Sequence, residues 1–555
     1  MKGAEIFVEA LRREKVDTLF CYNGGAVIPI FDALHQYGGG INLIHPRHEQ
    51  GGTHAADGYA RSTGKPGVML VTSGPGSTNT ITGIATAYMD SVPLVVFTGQ
   101  VPTTMIGTDG FQETDTVGIT MPITKANFLV KHTEDLAPTI KKAFYLATTG
   151  RPGPVVVDIP KDVQVKEADF VYPDTLDLPG YKPKSTGHPK QVKALKAALK
   201  KASKPLVLSG GGVVFSDVTD ELNRFLDRFG IPVIHTLMGH GVCPEREELY
   251  YGPIGMHGSL YGNYAIQNCD LLIAFGTRFS DRIVGEVTGF AQKAKIVHVD
   301  IDAAEIGKNV GVDIPIVGPL QNVLEELQKE KEYGSYEKWV EELVQVKAKQ
   351  PLKYKTTELL KPQYLIQLAN RFFPENTIVS SDVGQNQMWV AQYFRFRRPR
   401  RFLTSGGLGT MGYGLPAAVG AAVGNPESQV LAVAGDGGFQ MTMQEMLTVR
   451  RYGLRVKILL LDNSFLGMVR QWQELLFEKR YAGTEMNDNP DFCKLAEAMG
   501  IPSRQLSKVE DAETVMKEFA EKEGSMLLHG IIDKGENVLP MVPAGKSLDN
   551  VLEEF

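Results

Sequence analysis

Asp436 follows the apolar run Gln429–Ala434 inside Gly435-Asp436-Gly437-Gly438, and Asn463 follows the next such run, Val456–Leu461. Glycines let backbone N–H groups approach a phosphate closely, and a helix start just beyond them adds its positive end. A helix-like segment, 440–451, separates the two runs, so Asp436 and Asn463 end adjacent strands and can be neighbours. With one nearby carbonyl and two diphosphate oxygens they would complete the hard-oxygen shell that Mg²⁺ prefers. The same residues could instead form a tight turn whose aspartate caps a helix. Glu49, in HPRHEQGGTHAADGYAR, follows a short strand (42–45) and opens a helix. Taken alone it reads as an acid stabilised by the helix dipole. Gly210-Gly211-Gly212, after PLVLS, reads equally as a turn or as a phosphate-approach loop.

These residues need strands to present them. Val68–Thr72, Leu94–Thr98 and Val155–Ile159 are short β-branched runs separated by helical segments, as in parallel sheets buried on both faces. PLVLSGGG, PVIHT, LLIAFGT and KIVHVDID repeat the rhythm, and TIVSSDVG, QVLAVAGDGG, VKILLLDNS and MLLHGIID repeat it again. The fold class is therefore α/β with three open, mainly parallel sheets. Ligands of such sheets sit beyond the carboxyl ends of the strands, where the candidate residues fall. Polar stretches at 171–190, rich in Pro, Lys and Gly, and at 321–350, a charged helical stretch, separate the blocks.

Composition excludes several classes. The chain has 555 residues, 43% hydrophobic and 22% charged, with a net charge of −6. This is an ordinary globular balance, not that of a disordered, collagen-like, coiled-coil or general nucleic-acid-binding chain. Cys21, Cys243, Cys269 and Cys493 form no CxxC pair, which argues against a disulfide or zinc framework and for a reducing compartment. No run approaches the ~20 apolar residues of a membrane span. The opening MKGAEIFVEALRREKVD lacks the marks of a signal or transit peptide, so the expected location is cytoplasmic. No GxGxxG follows the first strand, against a dinucleotide dehydrogenase. The 58 glycines, about 10% against a usual ~7%, point to backbone that turns sharply or approaches something closely.

The pairing of Asp436 with Asn463 resembles the thiamine-diphosphate signature GDG…NN, with Asp462 in place of the first Asn. NGGAVIPIFDAL, RHEQGGTHAADGYAR, SGPGSTNTITGIATAYMDSVPLVVFTGQVP, GTDGFQETDTVGIT, GRPGPVVVDIPKDVQ, GMHGS, TRFSDR, SDVGQNQMW, GGLGTMGYGLPAA, GMVRQWQ and NVLPMVPAG extend the likeness along nearly the whole chain. The sequence resembles the catalytic large subunits of acetohydroxyacid (acetolactate) synthases, thiamine-diphosphate enzymes of pyruvate oxidase/decarboxylase-like architecture. The resemblance implies a pyrimidine-binding domain (1–170), a central FAD-binding-like domain (191–325) and a diphosphate- and Mg²⁺-binding domain (360–540). Linkers at 171–190 and 326–359 and a tail at 541–555 complete the chain.

It also implies a carboligating transferase. Pyruvate is decarboxylated on thiamine diphosphate, and the hydroxyethyl carbanion condenses with pyruvate or 2-ketobutyrate to give 2-acetolactate or 2-aceto-2-hydroxybutyrate. That is the first common step toward valine, leucine and isoleucine. Glu49 would exchange a proton with N1′ of the aminopyrimidine. Tyr22, Gly24, Gly25 and Ala26 would approach the pyrimidine, and Phe111, Gln112, Lys161 and Val101 would line the substrate pocket. Val383, Gly384, Gln385 and Asn386 would hold the diphosphate, joined by Gly409, Met468 and the 435–438 loop (Gly435, Asp436, Gly437, Gly438), with Met411 wedging the cofactor. Asp436, Asn463 and the carbonyl of Phe465 would bind the metal. Arg282 would bond the second keto acid's carboxylate, Trp472 would pack on its alkyl group, and Met256 would lie beside them.

For FAD the matching positions are Arg151, Gly210, Gly211, Gly212, Thr236 and Leu237, then Met256, His257, Gly276, Arg278, Arg282, Glu305 and Ile306; the flavin's role would be structural. Departures from the family pattern are Asn23 for Pro, Asn386 for His in the diphosphate loop, where an amide can still donate, and Pro319 for Asp, which removes a polar contact to FAD. A simple decarboxylase often carries paired histidines where Phe111-Gln112 stands. A glyoxylate-condensing relative usually lacks the relay glutamate. GMHG, RFSDR and PMVPAG favour the flavin-containing type over a flavin-free catabolic synthase. A non-catalytic flavin-binding module would need the glycine loops but neither Glu49 nor the paired metal ligands. The expected partners are 2-keto acids, a second copy in a homodimer or dimer of dimers, and a small regulatory subunit, with no nucleic acid and no membrane.

Overall fold

The computed structural model describes residues 1–553, so the last two residues of the expected 541–555 tail lie outside the described residues. Three six-stranded parallel sheets follow one another along the chain. The first holds β1 (Thr18–Cys21), β2 (Asn42–Ile44), β3 (Gly67–Val71), β4 (Leu94–Gln100), β5 (Ala126–Leu129) and β6 (Pro154–Pro160), in the order 2-1-3-4-6-5. The second holds β7 (Pro205–Ser209), β8 (Val233–His235), β9 (Tyr250–Pro253), β10 (Leu271–Phe275), β11 (Lys295–Asp300) and β12 (Ile314–Val317), in the order 12-11-10-7-8-9. The third holds β13 (Ile378–Ser381), β14 (Phe402–Leu403), β15 (Val430–Gly435), β16 (Val456–Asp462), β17 (Ser503–Leu506) and β18 (Met526–Ile531), in the order 14-13-15-16-18-17. β3, β4 and β6 are buried along their whole length, which is why they read as unbroken apolar runs.

The first and third sheets share one strand order. The second, read from its other edge, runs 9-8-7-10-11-12, the order of doubly wound dinucleotide folds. Besides turning back at the far edge of the first and third sheets, where β6 and β18 insert inside β5 and β17, the winding reverses between β1 and β3, between β7 and β10, and between β13 and β15. Crevices open there beyond the strand ends.

The first and third sheets are joined by two helices, Glu49–Thr63 and Gly414–Gly424, whose backbones nearly touch. A Cβ at Gly420 would stand 1.7 Å from the Ala55 carbonyl oxygen, and one at Gly58 would stand 2.2 Å from that of Ala417. Only glycine permits this crossing. It lets Phe20, Met69 and Val96 of the first sheet share one core with Ile378, Ala432 and Leu460 of the third. The seam has a buried polar centre. Arg61 donates to Asp57 (2.6 Å) and Asp90 (2.9 Å), while the Tyr413 hydroxyl donates to Asp57 (2.6 Å) and the Gly406 N–H to Asp90 (2.9 Å). Arg400 then ties all three units together, donating to Asp217 (2.8 Å), the Phe215 carbonyl (3.3 Å) and the Arg61 carbonyl (3.1 Å).

The charged stretch 321–350 is two helices, Leu320–Gln328 and Glu337–Lys349, broken around Gly334. The second falls within the expected 326–359 linker, yet it buries Trp339 and Leu343 against the second sheet. Its surface charges had masked an apolar face. The tail also packs on the middle unit: the Val542 N–H donates to the Met256 carbonyl (2.8 Å), and Glu286 N–H to that of Lys546 (3.0 Å).

Candidate active site

The third sheet gathers the expected diphosphate and metal residues around one cleft. Val383, Gly384, Gln385 and Asn386 come from the end of β13, Gly435 to Gly438 from the end of β15, and Asn463, Phe465 and Met468 from beyond β16, with Met411 opposite. Gly409, in the left-handed region at φ 74°, lies beside Val383. Gly384, at φ 137°, precedes the helix Gln385–Tyr393, whose first turn presents N–H groups to the cleft. The helical segment read from 440–451 is present but starts earlier, at Asp436 itself, because the glycines accept helical geometry. It runs as a helix to Thr442, a 3₁₀ turn (Met443–Glu445) and a second helix (Met446–Arg451).

Asp436 is buried and makes no ion pair among the described residues. Its carboxylate accepts from Asn489 Nδ2 (2.7 Å), which also reaches Asp462 (3.2 Å), and Asp462 lies 2.9 Å from His529 Nε2. Burial, with the Asp462 charge beside it, holds the Asp436 carboxyl above the usual carboxylate range. Asn463 Oδ1 accepts from the Phe465 N–H (3.1 Å), which turns the loop back toward Asp436. A buried carboxylate without a cationic partner, beside an amide oxygen, is a hard donor set that fits Mg²⁺ and a phosphate-bearing ligand. Asp462 stands beside Asp436, sharing Asn489 with it, and is held by His529 and by the Ser464 N–H (2.9 Å), so an acid has its own partners there.

One expectation changes. The Asn386 amide donates to the carbonyl of Asp382 (2.8 Å) and to Ser381 Oγ (3.3 Å). Its N–H groups are spent on the loop's own oxygens, so Asn386 buttresses the diphosphate loop instead of donating into the cleft. Sequence reading also missed Asp382, which is buried and accepts from the N–H groups of Val383, Gly412 and Gly414 at 2.8, 3.0 and 3.0 Å. Burial raises it to about 6. It fixes the 383–386 loop against the 409–414 loop. Asn489 left no signal in the sequence, since no motif or spacing links it to Asp436.

In the first unit Glu49 opens its helix as expected, and Asn79 Nδ2 donates to its carboxylate (3.0 Å). Loop 22–26 lies beside the loop that follows β3: a Cβ at Gly24 would stand 2.6 Å from Thr72, whose hydroxyl accepts from the Ala26 N–H (3.3 Å). Asn23, where the family has Pro, accepts from the Gly24 N–H (2.8 Å) and so restores rigidity to the turn. Gln112 packs on Gly74, and Phe111 projects outward, 88% exposed. Lys161 starts the short helix after β6 and is exposed, while Val101 is buried at the end of β4. None of these first-unit residues lines the cleft of the third sheet, whose walls all come from residues 383–469.

The second and third units meet at the expected acceptor residues. The Arg282 guanidinium lies over the Trp472 ring at 5.6 Å and donates to Met256 Sδ (3.4 Å). The flavin positions cluster at the β7/β10 switch point. The Gly212 N–H donates to the Gly276 carbonyl (3.0 Å), and a Cβ at Gly210 would stand 2.1 Å from that oxygen. Thr236 and Leu237 follow β8, and Arg278 follows β10. Arg151 and Glu305, both expected at FAD, bond each other (2.6 Å). Among the described residues, His257 Nε2 and Glu305 Oε2 are buried without hydrogen-bond partners, so these two positions retain polar groups suited to a polar ligand. Pro319 caps the helix Leu320–Gln328 and offers no donor.

The folds and crevices are those of a thiamine pyrophosphate enzyme. The chain matches the N-terminal TPP binding domain of these enzymes over residues 1–119, the central domain over 192–327 and the C-terminal TPP binding domain over 382–529. It is 47% identical to a probable acetolactate synthase large subunit of Methanocaldococcus jannaschii, covering 100% of this chain and 95% of that protein. It is 45% identical to the acetolactate synthase large subunit of Haemophilus influenzae (100% and 98%) and 46% identical to the chloroplastic acetolactate synthase of Arabidopsis thaliana (100% and 84%). The chain belongs to the acetolactate synthase large-subunit family. No helix among the described residues is long and apolar enough to cross a membrane.

Proposed function

We propose that this chain catalyses the condensation of two 2-keto acids with loss of CO₂: two pyruvates give 2-acetolactate, and pyruvate with 2-ketobutyrate gives 2-aceto-2-hydroxybutyrate. Thiamine diphosphate, when bound, supplies the electron sink that lets pyruvate lose CO₂ and its two-carbon remnant add to the second keto acid. Asp436, Asn463 and the Phe465 carbonyl would hold Mg²⁺ against the diphosphate, cradled by the 383–386 and 435–438 loops. Glu49 would hold and return the proton at N1′ of the aminopyrimidine. Gln112, Lys161 and Phe111 would confine the first keto acid.

The observation that carries carboligation over simple decarboxylation is Arg282 stacked on Trp472 beside Met256. A fixed cation next to apolar walls suits a second keto acid with a carboxylate and a short alkyl group. Incubation with pyruvate, thiamine diphosphate, Mg²⁺ and FAD tests this. 2-Acetolactate as the main product supports it, and acetaldehyde as the main product refutes it.

In this reading FAD occupies the β7/β10 crevice in a structural role. Because the cleft is walled by the third unit alone, a second copy would bring its Glu49 to it. The exposed Ile119, Met121 and Met441 support a self-association surface. A small regulatory subunit is the expected partner, given that the relatives are named large subunits. The four free cysteines support a reducing, cytoplasmic setting.

A further inference from the structure

Asp158 is a buried carboxylate in the middle of the first sheet that makes no ion pair among the described residues. It sits within β6, 1% exposed, opposite Thr98 of β4. Thr98 Oγ1–H donates to its Oδ1 (2.6 Å), and Gln100 Nε2–H donates to its Oδ2 (2.9 Å). An uncompensated buried carboxylate is costly, and burial raises Asp158 to about 7. Nothing in the proposed chemistry uses it directly. Its partner reaches further. Gln100 Nε2 also donates to the Thr114 carbonyl (2.7 Å), and Gln100 Oε1 accepts from the Val101 N–H (2.9 Å). One amide thus closes the base of the 101–114 loop, which carries Phe111 and Gln112 shortly before Thr114.

That loop needs a clamp. Gln112 is left-handed (φ 60°), a conformation that costs a non-glycine residue about 1–3 kcal/mol unless its surroundings impose it. Its backbone presses on Gly74, also left-handed, where a Cβ would meet the Gln112 carbonyl oxygen at 2.9 Å. Beyond the loop, Ser77 Oγ and Thr116 Oγ1 are hydrogen-bonded (2.8 Å), which pins its far end to the helix after Gly74. The Gln100 clamp and the Gly74 seat hold Gln112 from two sides.

We propose that Gln100, oriented by Asp158, is a positioning residue that sets Gln112 for keto-acid capture. This rests on the reading of Gln112 as a substrate-facing residue. The Gln100→Met holoenzyme keeps the side chain's length but loses both amide donations. The expected result is a rise of about tenfold in KM for pyruvate, the scale of one lost hydrogen bond, with thiamine diphosphate affinity by calorimetry unchanged. In the Gln112→Ala background the same substitution should have no further effect, since both act through one contact. Additive losses, or a parallel loss of cofactor affinity, would overturn the positioning role. Should Gln100→Met not fold, Gly74→Ala perturbs the loop from its other side and should reproduce the KM rise; unchanged KM there also overturns it. A Gln112→Ala enzyme with unaltered KM would instead remove the underlying reading of Gln112, a separate signature from additivity.

Discussion

Asp436 and Glu49 carry the proposed chemistry; Asp436 was legible in a glycine loop directly after an apolar run, whereas Glu49, at a helix start beyond a short strand, was singled out by the family resemblance. Glu49→Gln should lower acetolactate formation by about 10²–10⁴, the usual worth of a positioned proton-transfer group, while leaving thiamine diphosphate binding intact by calorimetry. Asp436→Ala should instead abolish Mg²⁺-dependent cofactor binding in the same titration. Asp382, Asn489 and Asp158 were not legible, because their partners are remote in sequence or are backbone N–H groups. Asp158 has a pH consequence. Its folded-state value of about 7 lies above the ordinary 3.8 of an unfolded chain, so the folded state holds a proton the unfolded state has lost. Its contribution to stability is therefore greatest below about pH 4 and is lost as pH rises toward 7. Asp158→Asn should remove this slope, so urea midpoints of wild type and variant should diverge between pH 4 and 7, with the variant gaining relative to wild type.

Elements were legible where one face was buried and repetitive. The parallel strands read directly from β-branched runs, and the crevices followed from where those runs end. The helix Glu337–Lys349 was harder, since its buried face, Trp339, Val340 and Leu343, is short and interspersed with charges. The crossing of Glu49–Thr63 on Gly414–Gly424 was not visible at all: GGTHAADG and GAAVG are only small-residue segments until they are paired. Gly420→Ala should destabilise the protein by about 1–3 kcal/mol, an overpacking cost, read as a lower denaturant midpoint. Gly39→Ala, with nothing within 4 Å of the added carbon, should leave the midpoint in place.

For the whole molecule, the separation of Glu49 from the third-sheet cleft makes a quantitative prediction. If each site takes Glu49 from one copy and Asp436 from the other, Glu49→Gln and Asp436→Ala chains are each inactive alone. Co-expressed in equal amounts, they form mixed dimers in half of cases, each with one intact site, so about a quarter of wild-type activity should return. Sites built within one chain would recover none.

The glycine crossing also bears on how the chain is made. Tyr413 and Asp57, bonded across the seam, are 356 residues apart in sequence. A ribosome adding ~5–20 residues per second needs roughly 20–70 s between them. Through that interval the first unit has emerged with the apolar side of its Glu49–Thr63 helix uncovered, waiting for its partner to be translated. The nascent chain should therefore depend on chaperone shelter more than its three independent-looking sheets suggest.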